Sequence, residues 1–270
     1  MSRRDTASPT TAAWPVQQPV PGSAAWWHQR YTVEVRRRPR ADGLSLGRIL
    51  AAALDLLDRD GLDALTMRRL ADELSTTHTS LYRHVASRHE LLVELVDHVL
   101  GGMRPPPGSD SDHDGEGIGG DNGGGDWRAQ AEWSAREFRR VLLDHPALVP
   151  LLTAGQLLGP NAMRGRDRGV RSLLAAGAGG ELAVHAYLLV AHYVIGTALL
   201  DTGGAARTGR ERTAMTQLFK ALPAETYPTV LAHAELLNAP DSEAEFEFGL
   251  RMILDGIALR LPWQGAEMRW

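Results

Sequence analysis

The chain has 270 residues, of which 43% are hydrophobic and 23% are charged, which is enough for two domains with hydrophobic cores. It contains no cysteine, and this excludes disulfides, thiolate zinc sites, iron–sulfur clusters and cysteine nucleophiles. The amino-terminal segment lacks an apolar h-region, and no stretch reaches the roughly 18 uninterrupted apolar residues of a membrane span. We therefore expect a cytoplasmic protein without a membrane partner.

The net charge of −4 is unevenly distributed along the chain. Residues 1–104 carry 14 arginines against 12 acidic residues, whereas the remainder carries a net charge of −6. The amino-terminal part is thus the one to which a polyanion could bind. Almost all basic residues are arginines, a bias that genomic base composition also produces, so arginine content alone identifies no nucleic-acid-binding protein.

Residues 1–40 are predicted to be a flexible amino-terminal arm. Residues 1–29 are rich in Pro, Ser, Thr and Gln, which is too polar a composition to bury a core. Residues 31–36 alternate like a strand, but no partner strand follows, so we expect an extended conformation. The arm ends in a basic segment that can contact phosphates or the minor groove, namely Arg36, Arg37, Arg38 and Arg40.

Residues 41–104 are predicted to be a domain of four helices. Apolar residues recur at three- and four-residue steps from Ser45 to Asp60. Thr66 and Ser87 are good N-caps for later helices, and we predict helices over 45–60, 66–74, 79–84 and 87–101. Residues 105–126 read as an acidic, glycine-rich linker.

Residues 127–264 are predicted to be a second helical domain, which makes the protein all-α. The predicted helices are 127–144, 146–158, 161–176, 181–200, 213–221, 226–237 and 242–261. Helix 181–200 is apolar on nearly every side, so it must be buried between other helices or against a second subunit. Helix 242–261 carries an apolar stripe that we expect to join it in a four-helix dimer interface, made of Phe246, Leu250, Ile253, Leu254 and Ile257.

Two short helices joined by a tight turn over residues 66–85 are typical of a helix-turn-helix that binds the DNA major groove. Leu70, Ala71, Leu74 and Leu81 would pack the two helices together, leaving polar residues outward. Spacing alone also allows a solvated helix in a bundle.

The residues of this domain resemble the DNA-binding domain of the tetracycline-repressor (TetR) family over about 55 positions. The resemblance is carried by residues 49–57, 60–62, 65–66, 70–71, 81–85 and 91–92. Weaker matches to the regulatory domain of tetracycline repressors follow in order at residues 138–139, 142–143, 145, 193, 196, 246 and 248–250. The resemblance implies an amino-terminal helix-turn-helix domain and a carboxy-terminal domain that binds a ligand and dimerises.

The resemblance also implies which residues contact DNA. Arg68 would reach a base edge, where an arginine fork on guanine gives specificity. Thr66 and Arg88 would contact phosphates, which position rather than specify. The remaining implied contacts are the groove-facing His78, Thr79, Ser80 and Arg83 and the backbone-holding Tyr82 and His84.

The chain departs from the family pattern in the turn, where Ser75 and Thr76 stand in place of Gly-Val. The glycine normally supplies a left-handed backbone conformation, which costs a residue with a β-carbon about 1–2 kcal/mol. We therefore expect a strained turn or an altered aim of the following helix.

Candidate effector contacts that follow from where this family opens its cavity are Trp133, Ser134, Phe138, Gln156 and Asn161. Two histidines on one face of helix 181–200 are further candidates, namely His185 and His192. His185 and His192 are two helical turns apart, about 10 Å, which is too far for one metal ion. They fit a cavity or a dimer interface equally well. Arg104 stands where tetracycline repressors have a magnesium-binding histidine, so tetracycline is not the expected effector and no metal or other cofactor is expected.

The sequence thus predicts a homodimeric repressor that a small-molecule effector releases from a palindromic, double-stranded DNA operator. Two alternatives remain open. A helical enzyme would need a nucleophile, base or metal constellation, and no such catalytic spacing is found. A small-molecule-binding protein that has lost operator binding is compatible with the altered turn at Ser75.

Overall fold

The computed structural model describes residues 19–34, 44–107, 126–155, 157–203, 209–238 and 242–262. Within these ranges the chain forms α-helices and three short 3-10 helices, and no β-strand. The all-α prediction is confirmed. The α-helices are α1 Ala24–Glu34, α2 Leu46–Asp60, α3 Met67–Glu73, α4 His78–Tyr82, α5 Arg88–Gly101, α6 Trp127–Asp144, α7 Val149–Ala154, α8 Pro160–Ala175, α9 Gly180–Gly203, α10 Gly209–Lys220, α11 Pro228–Ala232 and α12 Ser242–Ala258. The 3-10 helices are Leu62–Ala64, Pro146–Leu148 and Leu236–Asn238.

Helices α2 to α5 form a small domain around one apolar core. Helix α2 begins where the Ser45 hydroxyl accepts a hydrogen bond from the Arg48 amide, and it ends at Gly61, whose φ of 83° favours glycine. The four helices predicted for this domain are confirmed, with small shifts at their ends. Their fully buried residues include Ile49, Ala53, Leu65, Leu70, Leu81, Val85, Leu91 and Leu95.

The turn between α3 and α4 places a serine in the left-handed backbone region. Ser75 has a φ of 50° and is the one described non-glycine residue with positive φ. The Thr76 amide donates a hydrogen bond to the Ala71 carbonyl at 2.9 Å, and the Ser75 amide donates to the Asp72 carbonyl at 3.0 Å. The tight turn is therefore kept, and Ser75 adopts the strained conformation expected from its departure from glycine.

Helices α6 to α9 and α12 form the second domain, with α9 at its centre. Helix α9 packs against α6, α7, α8 and α12, while α5 reaches across from the first domain to contact α6, α7 and α8. Small side chains on α9 let the neighbouring helices approach closely, and those buried there are Ala183, Ala186 and Ala198, together with Val194.

Helix α9 has 24 residues and is long and apolar enough to span a membrane by length and composition alone. One side of it is covered by helices of its own chain. The other side leaves Leu189 50% exposed and Leu200 80% exposed, and it also carries the exposed His185 and His192. The prediction that α9 is buried between other helices or against a second subunit is confirmed for the side that helices of its own chain cover.

The expectation of an extended, polar arm is wrong for residues 24–34, which form helix α1. Trp26 and Trp27 are 8% and 4% exposed, and Arg30 binds Glu90 and Glu94 of α5. The two tryptophans supply the apolar surface that the surrounding polar residues lack. The helix thus gains its stability from α5, about 60 positions away in the sequence, and not from its own composition.

The predicted dimer stripe on α12 is also wrong in its residues. Phe246, Leu250, Leu254 and Ile257 are at most 5% exposed and belong to the core of their own chain. Side chains that are already buried in one subunit cannot be the surface that a partner covers. The opposite side of α12 carries the exposed apolar residues Phe248 and Met252, and the exposed Leu259 follows directly after the helix.

Candidate nucleic-acid interface and ligand cavity

Helices α3 and α4 each begin at a threonine cap and present polar side chains to solvent. The Thr66 hydroxyl accepts a hydrogen bond from the Arg69 amide at 3.2 Å, and the Thr77 hydroxyl accepts one from the Ser80 amide at 3.2 Å. These caps satisfy amide groups that short helices otherwise leave without partners. The exposed side chains next to them include Arg68, His78, Thr79 and Tyr82.

Arg68 and Arg69 are neighbours with different surroundings. Arg69 donates a hydrogen bond to Asp60 at 2.6 Å, which anchors α3 to the end of α2. Arg68 is exposed and makes no hydrogen bond or ion pair within the described ranges. Its five donors are therefore available to an incoming acceptor such as a base edge.

The side chain of Arg83 is oriented by a short hydrogen-bonded chain on α4. The Thr77 hydroxyl donates to the Ser80 hydroxyl at 3.0 Å, and the guanidinium of Arg83 donates to the same Ser80 oxygen at 3.1 Å. His84 is half-buried at the end of α4. The surface thus combines an ordered arginine on α4 with the unpaired Arg68 on α3.

Arg88 has a structural role that the sequence did not reveal. Its Nε donates to the Leu65 carbonyl at 2.7 Å, and one terminal nitrogen donates to the Leu62 carbonyl at 2.8 Å. These bonds tie the start of α5 to the 3-10 helix before α3. A phosphate contact by Arg88 stays a prediction, and it would have to use the donors that remain. Arg36, Arg37, Arg38 and Arg40 lie outside the described residues.

A cavity of about 850 Å³ opens between α5, α6, α8 and α9, within the size range of ligand sites. Its wall is mostly apolar, and four of the predicted effector contacts are part of it, namely Ser134, Phe138, Asn161 and His192. Trp133 and His185 are not among the lining residues. Gln156 lies outside the described residues. His192 thus lies both at the cavity and on the exposed side of α9.

Trp133 contacts Arg104 instead of the cavity. Its indole nitrogen donates to the Arg104 carbonyl at 3.4 Å, and the guanidinium lies 5.8 Å from the ring centroid, within reach of a cation–π contact. Arg104 itself lines the cavity. Trp133 therefore stabilises Arg104, which lines the cavity, without lining the cavity itself.

A buried carboxylate holds Arg104 in place at the edge of the cavity. Glu137 is 3% exposed and accepts hydrogen bonds from Arg104 at 2.7 Å and Arg140 at 2.7 Å. The bonds from Arg140 and then Arg104 hold the pKa of the Glu137 carboxyl far below its usual range. Glu137 is thus a carboxylate at neutral pH. Among the described residues, no three His, Asp or Glu side chains form a group that could hold a metal ion.

Sequence reasoning missed several lining residues on α8 and α9. Arg164, Arg166 and Arg168 line the cavity together with Tyr187. The ring of Tyr187 lies so close to Gly169 that a side chain on Gly169 would collide with it. The available signal was the segment 164–169, which has an arginine at every second position and two glycines.

Comparison with known proteins places these two sites in one family. The model described as "Bacterial regulatory proteins, tetR family" matches residues 49–95, and the model described as "Tetracyclin repressor-like, C-terminal domain" matches residues 119–261. The chain belongs to the TetR family. It is a ligand-responsive, DNA-binding transcriptional repressor, and repressors of this family act as dimers on double-stranded operator DNA.

Relatives cover most of the chain of this TetR-family repressor. The HTH-type transcriptional repressor DrrR1 of Streptomyces coeruleorubidus is 34% identical over 232 residues, which are 83% of this chain and 81% of DrrR1. The class A tetracycline repressor of Escherichia coli is 29% identical over 212 residues, 78% of this chain and 89% of that repressor. The structure of Streptomyces coelicolor ActR with actinorhodin superposes with a TM-score of 0.68 at 34% identity, covering 81% of this chain and 98% of ActR.

Proposed function

We propose that α4 of each subunit enters the major groove of one operator half-site and that an effector in the cavity releases the repressor. In this proposal Arg68 and Arg83 contact bases, as do His78, Thr79 and Ser80. Thr66, Tyr82, His84 and Arg88 hold the DNA backbone, and the arginine segment 36–40 contacts phosphates or the minor groove. The support for Arg68 is its exposed, unpaired guanidinium.

Helix α5 links the DNA-binding surface to the cavity, because it belongs to both. The first half of α5 supplies Leu91 and Leu95 to the core of the DNA-binding domain. Its last residues and the segment after it line the cavity with Leu100, Met103 and Arg104. A ligand that displaces this end of α5 therefore moves the helix on which α2 packs, and α3 packs in turn on α2.

Asp97 couples α5 to α8, the arginine-bearing side of the cavity. Its two carboxylate oxygens accept hydrogen bonds from the amides of Asn161 at 3.1 Å and Ala162 at 2.9 Å, at the start of α8. Asn161 in turn donates to the Asp97 carbonyl at 2.9 Å. Asp97 is 5% exposed, so water cannot replace these hydrogen bonds when α8 shifts. A shift of α8 therefore moves α5 as well.

We further propose that α9 and α12 form the dimer interface through their exposed sides. Leu189, Leu200, Phe248, Met252 and Leu259 are all at least half exposed in one subunit, which is more apolar surface than a solvated pair of helices normally shows. Gly196 has open space beside its α-carbon, so a partner helix can approach there. His185 belongs to this side and serves the interface in the proposal.

The effector is proposed to be a small molecule other than tetracycline, because Arg104 occupies the place of a magnesium-binding histidine and is paired with Glu137. The solved complex of ActR with actinorhodin is a precedent for a bound small molecule in a related protein. In this proposal the protein is not an enzyme, and it acts in the cytoplasm, where its operator DNA is found.

The deciding experiment isolates genomic fragments retained by the purified full-length protein and measures binding to the enriched palindrome. We expect tight binding that weakens steeply with salt, at 10³-fold or more over random DNA, as is typical of specific repressors. Replacing the four arginines of segment 36–40 with glutamine should reduce the slope of log K against log salt by about 0.9 per lost phosphate contact. Equal affinity for the palindrome and random DNA would overturn the proposed function.

A further inference from the structure

The wall of the cavity carries more positive than negative charge, and the repressor function does not explain this excess. Among its lining residues are four arginines, Arg104, Arg164, Arg166 and Arg168, and no aspartate or glutamate of the described chain. Arg104 is paired with the buried Glu137. The other three make no ion pair within the described residues, although α8 itself contains an acidic residue.

The acid of α8 is engaged elsewhere. Asp167 pairs with Arg171, four residues further along the helix, and neither of these two residues lines the cavity. The helix thus neutralises one of its arginines and leaves those at the cavity uncompensated. A cavity that places several cations next to an apolar wall favours a ligand with an apolar body and a negative charge.

Arg166 is the best placed of the three cations. It is half-buried, whereas Arg164 and Arg168 are exposed. Within the described residues its guanidinium donates only to the Leu157 carbonyl at 3.3 Å and to the Met163 sulfur at 3.0 Å. The first bond is long and the second is made to a thioether, which is a weak acceptor, so better acceptors can replace them. Burial raises the pKa of the neighbouring Tyr187 hydroxyl, while the charge of Arg166 acts in the opposite direction. Tyr187 thus stays a neutral donor beside the cation.

The rest of the cavity fits an aromatic ligand body. Trp127, Phe138 and Tyr187 contribute rings to the wall, and aliphatic residues of α6, α8 and α9 complete it. A volume of about 850 Å³ holds a molecule of several fused rings. Asn161 and Ser134 add polar groups that can orient it.

We propose that the effector is an aromatic organic acid whose anionic group binds Arg166 and the hydroxyl of Tyr187, with Arg164 and Arg168 attracting it at the opening. The ligand's role as an effector rests on the proposed function, but its binding to this site can be tested without DNA. The arginines require a negatively charged group on the ligand, and a carboxylate and a sulfonate meet this requirement equally.

The test uses two fluorescent probes that share one ring system. Anilinonaphthalene sulfonate is anionic, and phenylnaphthylamine is the same molecule without the sulfonate. We expect the full-length wild-type protein to bind the anionic probe at least about tenfold more tightly, equivalent to about 1.4 kcal/mol, at one site per subunit. Arg166→Met should remove most of this preference, and Arg166→Lys should keep part of it.

Arg171→Met is the matched control, because Arg171 is on the same helix but outside the cavity. It should leave the preference unchanged. Ala131→Trp, which adds a ring at the cavity wall, should remove binding of both probes while circular dichroism shows a folded protein. Equal affinities of the two probes in wild type, an equal loss in the Arg171 variant, or undiminished binding in the Ala131 variant would each overturn the proposal. Failure to bind an operator would contradict the proposed function and leave this result intact.

Discussion

The Tyr31 hydroxyl donates a hydrogen bond of 2.8 Å to the carbonyl oxygen of Leu158, and Leu158 lines the cavity. The same helix, α1, binds α5 through Arg30 and Glu90 at 2.8 Å. Helix α1 therefore touches both the DNA-binding domain and a residue of the cavity wall, and it lies outside the regions 49–95 and 119–261 that the family models match. The amino-terminal segment thus adds a connection between the two domains.

We predict that α1 contributes to the stability of the folded repressor. Trp27→Ala should lower the free energy of unfolding by about 3 kcal/mol, because it removes a nearly buried ring that the surrounding helix cannot replace. Urea unfolding followed by circular dichroism measures the change. Val20→Ala is the control, since Val20 is 66% exposed. Equal stability of wild type and the Trp27 variant would show that α1 is not docked.

We predict that Ser75→Gly stabilises the protein. Ser75 has a φ of 50°, and glycine adopts this conformation without the clash that a β-carbon causes, which is worth about 1 kcal/mol after the entropy of the more flexible unfolded chain is subtracted. The midpoint of thermal unfolding should rise by a few degrees. Thr76→Gly, at the next position, should give no such gain. A lower midpoint for Ser75→Gly would mean that the serine is not strained.

Arg68 is predicted to determine operator specificity. Arg68→Ala should weaken operator binding by about tenfold or more and leave random DNA almost unaffected, because a bidentate arginine–base contact is worth about 1–3 kcal/mol. Fluorescence anisotropy on both DNAs measures the ratio. Arg69→Lys is the control, since Arg69 binds Asp60 within the protein and keeps its charge in that variant. The assignment fails if Arg68→Ala weakens binding to both DNAs to the same extent.

Arg88 is predicted to act first on stability. Arg88→Ala removes two hydrogen bonds from a charged donor to the carbonyls of Leu62 and Leu65, which should lower the free energy of unfolding by about 2–3 kcal/mol. Any loss of DNA affinity should be similar on all sequences, as expected of a residue that positions the backbone. Chemical unfolding and DNA titration of the same preparation separate the two effects. Unchanged stability would contradict the structural role.

The sequence predicted the elements whose signals are local and missed those that depend on distant partners. Helix α2 was evident because its apolar residues recur within one segment and Gly61 ends it. Helix α1 was missed because its ion pairs are made with Glu90 and Glu94 of α5, which are distant in the sequence. Arg166 was missed because a charged residue on a helix is usually solvated, and only the fold shows that it borders a cavity.

For α12, periodicity identified apolar residues but not which of them face the same subunit. Leu250 and Phe248 differ by two positions, so they lie on nearly opposite sides of the helix. Leu250 is 1% exposed and Phe248 is 63% exposed within one chain. A helix with apolar residues on both sides offers two possible interfaces, and the tertiary contacts decide between them.

The dimer interface is predicted to use the exposed side of α12. The double substitution Phe248→Glu and Met252→Glu places two charges per subunit at the dimer interface, and the two-fold symmetry doubles them. The dissociation constant of the dimer should therefore rise at least about a hundredfold, equivalent to about 2.8 kcal/mol. Sedimentation should show monomers, and circular dichroism should show helix content close to wild type, because both residues are exposed in the single chain. Leu250→Glu is the matched contrast on the same helix: it charges the intrachain core and should unfold the regulatory domain. A Phe248/Met252 variant that stays dimeric, or a Leu250 variant that folds as a stable monomer, would mean that the sides of α12 are assigned the wrong way round.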